Sequence, residues 1–289
     1  MATLRMTYYP DITQGKSEEE VHSSVQVFAT ALAEALSASF SSVIKIEVPA
    51  ALEVPDQFDR TLAGGSELSL MKPVAYVFAN WRNPAIVPAC VAHRVIDGKE
   101  GVEYFGQVYC HRNLGVESLE ELASKGGGTL RIAYGSRFST SNFLIPALVL
   151  HDAGIHPFTF FRTVEFMGGH DLAVQAVYDG QADVGAGHDG VIRMLAEKKP
   201  DAAENLVTLG RQNIHSDPVV VHTGVLPKPV TLLAIQRAAV LVAKVEPVKK
   251  ALDLFWGGVK DLSETTHARY AAVEQALARL HLQETDMLR

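Results

Sequence analysis

Apolar and polar positions along this chain switch between two spacings. Residues 4–9 (LRMTYY) predict a first strand, and residues 43–48 (VIKIEV) predict a second. Between them, residues 18–38 carry apolar side chains at helical spacing, which predicts an amphipathic helix. A chain in which strands and helices alternate in this way is typical of α/β architecture.

The same two spacings predict the elements in the rest of the chain. Further helices are predicted at 56–63, 139–153, 170–179 and 189–198, and over most of 231–285 with polar breaks near 257–264. Further strands are predicted at 67–71, 129–134, 161–166, 182–186, 205–210 and 217–222. The strand–helix order therefore continues from the first residues almost to the last.

Two alternating runs, residues 86–96 and 103–112, predict a hairpin that turns at Asp97-Gly98. Cys90 and Cys110 flank that turn nearly symmetrically, so we expect them close together on paired strands. Whether they pair stays open, and two buried free thiols are favoured because free cysteine behaves as a small hydrophobe. Their spacing matches no zinc motif, and no metal or cofactor is expected.

The middle of the chain reads as a domain of its own. Residues of about 113–216 form a self-contained βαβαβ pattern, and the flanks read as parts of one other domain. We expect a discontinuous first lobe of residues 1–110 and 220–289 and a second lobe of residues 111–219. Two crossings of the chain between α/β lobes make a hinge, and a hinge predicts a ligand cleft.

Composition and charge narrow the range of partners. The chain has 289 residues, 47% hydrophobic and 20% charged, with a net charge of -7. An acidic surface of this kind does not favour nucleic acid or anionic lipid, since both need clustered Lys and Arg. A small anionic ligand would need a local cationic or NH-rich site. No apolar run approaches the roughly 20 residues that span a bilayer, so no membrane insertion is expected.

The start of the chain leaves the compartment open. Residues 1–5 (MATLR) lack a charged segment followed by an apolar one, which a secretory leader would have. Either the protein is cytoplasmic, or the sequence is a mature form from which a leader has been removed.

The most informative segment is residues 134–146 (YGSRFSTSNFLIP), which run from a strand through a Gly-containing loop into a helix. Ser139, Thr140 and Ser141 fall at the helix start, where backbone NH groups lack internal partners and the helix dipole is positive. Three hydroxyls there add donors for an oxyanion, so we call these residues the anion seat. The alternative is a plain N-cap.

Three more residues are candidates for the same function. His170 follows Gly168-Gly169 at the start of a predicted helix, and its alternative role is that of a cap or surface residue. Asp189 follows the Gly-rich end of a strand and is otherwise the N-cap of the next helix. Asp217 precedes Pro218 at the second proposed crossing, near 216–222, and is otherwise a turn residue.

Three motifs in this order resemble a known family. They are STSNFLIPA, GGHDLAVQAVYDGQADVGA and IHSDPVVV, and the resemblance extends loosely over nearly the whole chain. The chain is similar to the phosphonate- and phosphite-binding proteins of ABC transporters. That resemblance implies the type II periplasmic-binding-protein fold: two α/β lobes, each a mixed sheet flanked by helices, with a ligand cleft between them.

The resemblance also implies roles for individual residues. The family's phosphonate seat falls on Ser139, Thr140 and Ser141, and its cleft histidine falls on His170. The acidic residue that helps hold the amine of aminoalkylphosphonates falls on Asp217. A second acidic position falls near Asp189, aligned to within one residue. The loop after the first strand, which lines the cleft in the family, offers Tyr8 and Tyr9.

Two positions depart from the family's pattern. Asn142 stands where the family usually has Gly after the seat. The short strand that commonly ends in an aromatic residue and Gly reads here Leu70-Met71-Lys72-Pro73. Lys72 would bring a full cation to the site, which fits a small or doubly charged anion and disfavours an ammonium-bearing ligand. Its alternative is an exposed loop lysine.

The sequence thus predicts a monomeric, non-enzymatic binding protein that captures a small oxyanion for an ABC permease, in the periplasm or elsewhere outside the cytoplasm. Two alternatives remain open. One is a cytosolic enzyme of the same bilobal fold that acts on a cofactor precursor, although no nucleophile–base pair or metal set is evident. The other is a ligand-sensing module that feeds a signalling partner.

Overall fold

The computed structural model describes residues 1–10, 16–96 and 99–288, which form twelve β-strands and twelve α-helices. The strands are β1 (Ala2–Tyr8), β2 (Ile44–Glu47), β3 (Leu68–Leu70), β4 (Ile86–Ile96), β5 (Lys99–Gly101), β6 (Glu103–His111), β7 (Arg131–Tyr134), β8 (Thr163–Phe166), β9 (Val184–His188), β10 (Leu206–His215), β11 (Pro218–His222) and β12 (Val259–Glu264). The helices are α1 (Glu18–Phe40), α2 (Val54–Leu62), α3 (Pro73–Arg82), α4 (Leu119–Lys125), α5 (Ile145–Asp152), α6 (His170–Tyr178), α7 (Val191–Ala196), α8 (Ala202–Asn205), α9 (Leu232–Val242), α10 (Glu246–Trp256), α11 (Ala271–Arg279) and α12 (Glu284–Leu288).

The chain divides into two compact units. The first contains Met1–Glu103 and His215–Ala271, and the second contains Tyr104–Ile214 and Ala272–Met287. The sequence-based division placed 104–110 in the first lobe, whereas the structure assigns these residues to the second unit. The reason is that β6 pairs along its length with β9 of the second sheet. The C-terminal residues 272–287 likewise belong to the second unit, and 215–219 belong to the first.

The first unit is built on a mixed sheet with the strand order β12-β4-β11-β3-β1-β2, and β5 pairs with β4. Strand β1 runs parallel to β2 and β3, whereas β11 runs antiparallel to β3 and β4. Helix α1 begins where predicted because Ser17 caps it: the Ser17 hydroxyl accepts from the backbone NH of Glu20, whose carboxylate accepts from the Ser17 NH.

The predicted hairpin between 86–96 and 103–112 is wrong. Strand β4 pairs instead with the short β5, and β6 leaves for the second sheet. The turn itself, Asp97-Gly98, lies outside the described residues. Cys90 and Cys110 therefore lie on different sheets, and both are buried free thiols, as favoured from the sequence. Burial raises the pKa of Cys90 to about 12 and that of Cys110 to about 11.

Besides the short β5, a helix and a strand of the first unit were not predicted from the sequence. Helix α3 buries eight consecutive residues from Pro73, so it shows no polar face from which a helix is recognised. Strand β12 occupies 259–264, where polar breaks in a helical tail were expected, and pairs antiparallel with β4. Both elements are set by contacts with the sheet rather than by local periodicity.

The second unit is built on a mixed sheet with the strand order β10-β6-β9-β7-β8. Strands β7, β8 and β9 are parallel, so their carboxyl ends meet at one edge of the sheet. Helix α6 packs on this sheet through a buried apolar cluster that includes Ala173, Val174 and Val177 with Tyr109 of β6. Ligands of open α/β sheets bind beyond the carboxyl ends of the strands, so that edge is where a ligand site is expected.

Within the described parts of the chain, no helix is both long and apolar enough for a bilayer span.

Candidate anion site at the carboxyl edge of the second sheet

The anion seat follows the carboxyl end of β7. After a loop at Gly135, Ser139 adopts an extended backbone conformation (φ -89°, ψ 124°), and a single π-helical turn, Thr140–Leu144, leads into α5. The helix predicted from residue 139 thus begins at the predicted place, but its first turn is wider than an α-helical one. Turns of this kind are rare and occur frequently at functional sites.

The three hydroxyls of the seat are buried in the folded chain. Ser139, Thr140 and Ser141 are 4%, 2% and 5% exposed. The Ser139 hydroxyl accepts a hydrogen bond of 3.0 Å from the Asn142 NH, so Ser139 is the N-cap that the alternative interpretation required. A hydroxyl that accepts one bond still has its own hydrogen to donate, so capping and anion binding are compatible.

Asn142 is fully buried and fastens the seat to the neighbouring strand. Its side-chain Nδ2 donates to the carbonyl of Ala186 on β9 at 2.7 Å. A Cβ atom added at Gly135 would lie 2.4 Å from Asn142 Oδ1, so Gly135 leaves the space that the Asn142 amide fills. The sequence marked Asn142 only as a departure from glycine, and its role depends on a contact 44 residues away along the chain.

His170 lies beside the seat, as predicted. It is the first residue of α6, and its Nε2 lies 3.4 Å from the Ser139 hydroxyl. Its Nδ1 accepts a hydrogen bond of 3.3 Å from the backbone NH of His188. Because a neutral imidazole that accepts at Nδ1 carries its proton on Nε2, the nitrogen facing Ser139 is a donor. Two separately predicted motifs therefore meet at this point.

His188 is a neighbour that the sequence analysis missed. It is the last residue of β9, and its ring centroid lies 4.8 Å from that of His170. Its Nδ1 accepts a hydrogen bond of 3.1 Å from the backbone NH of Gly190. The available signal was its place at the end of a strand parallel to β7, the same edge from which the seat was predicted.

Asp189 follows His188, and its carboxylate is buried, with 4% of the side chain exposed. Its Oδ1 accepts from the Gly190 NH at 3.1 Å, whereas Oδ2 has no hydrogen-bond partner among the described residues. The N-cap of α7 is Gly190 rather than Asp189, so the capping alternative fails by one residue.

The remaining candidates belong to the first unit. Tyr8 ends β1, is 1% exposed, and shares a 2.7 Å hydrogen bond between its hydroxyl and Nδ1 of His22. Burial raises the pKa of this phenol. Tyr9 is 4% exposed, and its hydroxyl accepts from Nε1 of Trp256 at 3.2 Å. Both tyrosines are thus core residues of the first unit, with hydroxyls engaged by neighbouring side chains.

Lys72 and Asp217 lie at one edge of the first sheet. Lys72 precedes α3 after the carboxyl end of β3, and its Nζ lies 5.0 Å from the centroid of the Tyr9 ring. Asp217 precedes β11, and its Oδ2 lies 2.5 Å from Nη2 of Arg94, with 10% of each side chain exposed. A second Arg94 nitrogen donates to the Trp256 carbonyl at 3.0 Å. The charge of Asp217 is therefore compensated within the first unit, by an arginine that the sequence analysis did not single out.

Solved structures of other proteins share this fold. The PhnD1 protein of Prochlorococcus marinus in complex with methylphosphonate is 19% identical, with a TM-score of 0.70 over 97% of this chain and 99% of that one. A protein of Xanthomonas citri bound to a chloride ion is 15% identical, with a TM-score of 0.75 over 96% of this chain and 98% of that one. The fold is that of the type II periplasmic binding proteins, as predicted.

The family is shown by a match of nearly the whole sequence. Residues 12–270 match the family model described as ABC transporter, phosphonate, periplasmic substrate-binding protein. The chain belongs to this family of substrate-binding proteins. A curated relative, the phosphate-import protein PhnD of Mycolicibacterium smegmatis, is 23% identical over 163 residues, which are 54% of this chain. The match spans only about half of that relative, 49% of its length.

Proposed function

We propose that this protein is the substrate-binding component of an ABC uptake system and that its ligand is a small tetrahedral oxyanion: a phosphonate, phosphite or phosphate. One observation carries the choice of ligand class. Three consecutive buried hydroxyls stand at the start of a helix, and the protonated Nε2 of His170 lies 3.4 Å from the first of them.

The donors of this site suit an anion without carrying a full charge themselves. The hydroxyls, the first NH groups of the π-helical turn and the His170 Nε2–H all present hydrogens, and the helix dipole adds positive potential. Hydrogen bonds to an ionised acceptor are about twice as strong as neutral ones. Phosphonate and phosphite have three terminal oxygens and phosphate has four, so each can use several donors at once.

Two of the three relatives described above point to the same class of ligand. One is a phosphate-import protein, and the other was solved with methylphosphonate. At 23% and 19% identity, these relatives support the class of phosphorus oxyanions without indicating which member of the class binds here. Lys72, at the edge of the first sheet, favours a small or doubly charged anion. The pairing of Asp217 with Arg94 removes a free carboxylate that could hold a ligand amine.

We further propose that the protein does no chemistry on its ligand. A serine next to a histidine is the arrangement of a nucleophile and its base, which the enzyme alternative would need. Here the backbone NH of His188 donates a hydrogen bond to Nδ1 of His170, so Nε2, the nitrogen next to Ser139, already carries a proton. It can donate to a ligand but cannot accept the proton of Ser139. Family membership supports the same conclusion.

In the proposed role, the ligand is captured outside the cytoplasm and delivered to a membrane permease. Ligand binding has to favour the form of the protein that the permease recognises, through contacts that are better in that form. The loaded protein, rather than the free anion, is then the species that engages the transporter.

A panel of ligands tests the proposal. Isothermal titration calorimetry with phosphate, phosphite, methylphosphonate, 2-aminoethylphosphonate and sulfate is expected to give saturable binding of at least one phosphorus oxyanion. Each binder should also raise the melting temperature, and at equal ligand concentration the rise should grow with the logarithm of its affinity. Absence of binding by all four phosphorus compounds would overturn the proposed ligand class, and turnover of any of them would overturn the non-catalytic role.

A further inference from the structure

The carboxyl end of β9 presents a second imidazole next to the one already assigned to the site. The rings of His170 and His188 lie 4.8 Å apart and are tilted by 53°. His170 in turn is 3.4 Å from the Ser139 hydroxyl. The chain of contacts therefore leads from the anion seat through one histidine to the other.

The tautomer of His188 is fixed in the same way as that of His170. The Nδ1 atom of His188 accepts from the backbone NH of Gly190 at 3.1 Å, an NH that it shares with Asp189 Oδ1, 3.6 Å from the same Nδ1. In the neutral ring, acceptance at Nδ1 places the proton on Nε2. This Nε2 makes no hydrogen bond to another described residue. The side chain is 19% exposed, so the ring is neither sealed in the core nor free in solvent.

The backbone at His188 is held firmly enough to aim the ring. The Gln107 side chain donates to the His188 carbonyl at 3.0 Å, and its oxygen accepts from the Thr208 hydroxyl at the same distance. On the other side, the His188 NH is bound to His170. A donor that is fixed before the ligand arrives loses little entropy on binding.

We propose, on the basis of the proposed function, that His188 is a second ligand-binding residue, which donates from Nε2 to an oxygen of the oxyanion beside His170. The two imidazoles have the same form: each accepts a backbone NH at Nδ1 and carries its proton on Nε2. Together they form a pair of Nε2–H donors for two oxygens of one tetrahedral anion.

Two substitutions separate this role from simple capping of the loop at Gly190. In His188→Gln, the amide nitrogen reaches about as far as Nε2 and keeps a donor for the ligand. In His188→Asn, the amide reaches only as far as Nδ1, so it can still accept from Gly190 but cannot reach a ligand. A capping residue would tolerate asparagine, whereas a ligand-binding residue would tolerate glutamine.

The experiment is titration calorimetry of the full chain with whichever of phosphate, phosphite and methylphosphonate binds the wild type. We expect His188→Asn to lose roughly ten- to a hundredfold in affinity, the range for one hydrogen bond to a charged group, and His188→Gln to stay within about threefold. Equal affinity of His188→Asn and wild type would overturn the assignment while leaving the proposed function intact. Failure of the wild type itself to bind would overturn the proposed function instead.

Discussion

Asn142 fills the space that a side chain at Gly135 would need. The ideal Cβ position at Gly135 lies 2.4 Å from Oδ1 and 2.7 Å from Cγ of Asn142. The Asn142 amide is itself bound to the Ala186 carbonyl of β9, so moving away from a new Cβ atom would strain or break that hydrogen bond. Glycine at one position and asparagine at the other are thus parts of one arrangement that sets the anion seat against the sheet.

Gly135→Ala is therefore expected to destabilise the protein by about 1–3 kcal/mol, the usual range for overpacking in a core. Urea denaturation with fluorescence detection measures the change. The double variant Gly135→Ala with Asn142→Gly should recover part of the loss, because the second substitution removes the clashing atoms. Equal stabilities of Gly135→Ala and wild type would contradict the packing described.

The ion pair between Asp217 and Arg94 implies a structural role for Asp217, whereas the family resemblance implies a ligand-binding one. Removing one partner of a buried ion pair leaves an uncompensated charge, so Asp217→Asn is expected to lower the free energy of unfolding by about 3–5 kcal/mol. The double variant Arg94→Met with Asp217→Leu should lie much closer to wild type in the same denaturation experiment.

Titration of Asp217→Asn with ligand shows whether Asp217 binds the ligand instead. If Asp217→Asn has the same free energy of unfolding as wild type but a lower ligand affinity, then Asp217 contacts the ligand. Its role would then be the one that the family resemblance implies, and not that of a structural ion-pair partner.

Lys72 is expected to contribute a full charge to ligand binding. Lys72→Met keeps much of the side-chain volume and removes the charge, so the affinity for the bound oxyanion should fall about tenfold or more at low salt. The matched control is Lys45→Met on β2, an exposed lysine at the other end of β1 and β2. Equal effects of the two substitutions would show that Lys72 acts only through net charge.

Because His215 is buried, we expect the free energy of unfolding to fall in mild acid. Burial, together with the nearby positive charge of Arg269, lowers the pKa of this histidine to about 4 from an ordinary value of 6.5. Between these two pH values the unfolded chain takes up a proton that the folded chain refuses, so stability is full above pH 6.5 and is lost progressively toward pH 4. At pH 5 the loss is on the order of 2 kcal/mol.

A His215→Gln variant separates the contribution of His215 to this pH dependence from that of other titrating groups. His215→Gln can still bond to the Thr265 hydroxyl, which His215 Nε2 contacts at 2.7 Å, but does not titrate. The difference in urea midpoint between pH 7 and pH 5 should therefore be smaller in His215→Gln than in wild type. Identical differences in the two proteins would rule out His215 as the source.

Local sequence patterns predicted the elements that depend on local physics. Helix α1 was predicted from its apolar spacing over 18–38, and the place of the anion seat follows from a strand, a glycine and three hydroxyls in sequence. Helix α3 gave no pattern because both of its faces are buried. Alternation identified β6 as a strand but could not name its partner, so it was joined to the wrong sheet.

The missed site residues are those defined by distant contacts. Asn142 is positioned by Ala186, and the charge of Asp217 is compensated by Arg94, at separations of 44 and 123 residues. His188, at the end of β9, was missed because the ring beside it, His170, belongs to helix α6. The contacts of Asn142 and Asp217 exist only after the sheets have formed, so residue type and spacing could not reveal them. For His188, only its place at the end of a strand was available as a signal.

The central claim is that the hydroxyls at the start of the π-helical turn bind the oxyanion. The most direct test is calorimetric titration of Ser139→Ala with Thr140→Ala against the phosphorus oxyanion that binds the wild type. Ser124→Ala, which removes an exposed hydroxyl on α4, is the matched control, and circular dichroism verifies that all three proteins are folded. We predict a loss of at least about a hundredfold in the double variant, since two charge-assisted bonds are removed, and none in the control. Wild-type affinity in a folded double variant would contradict the claim.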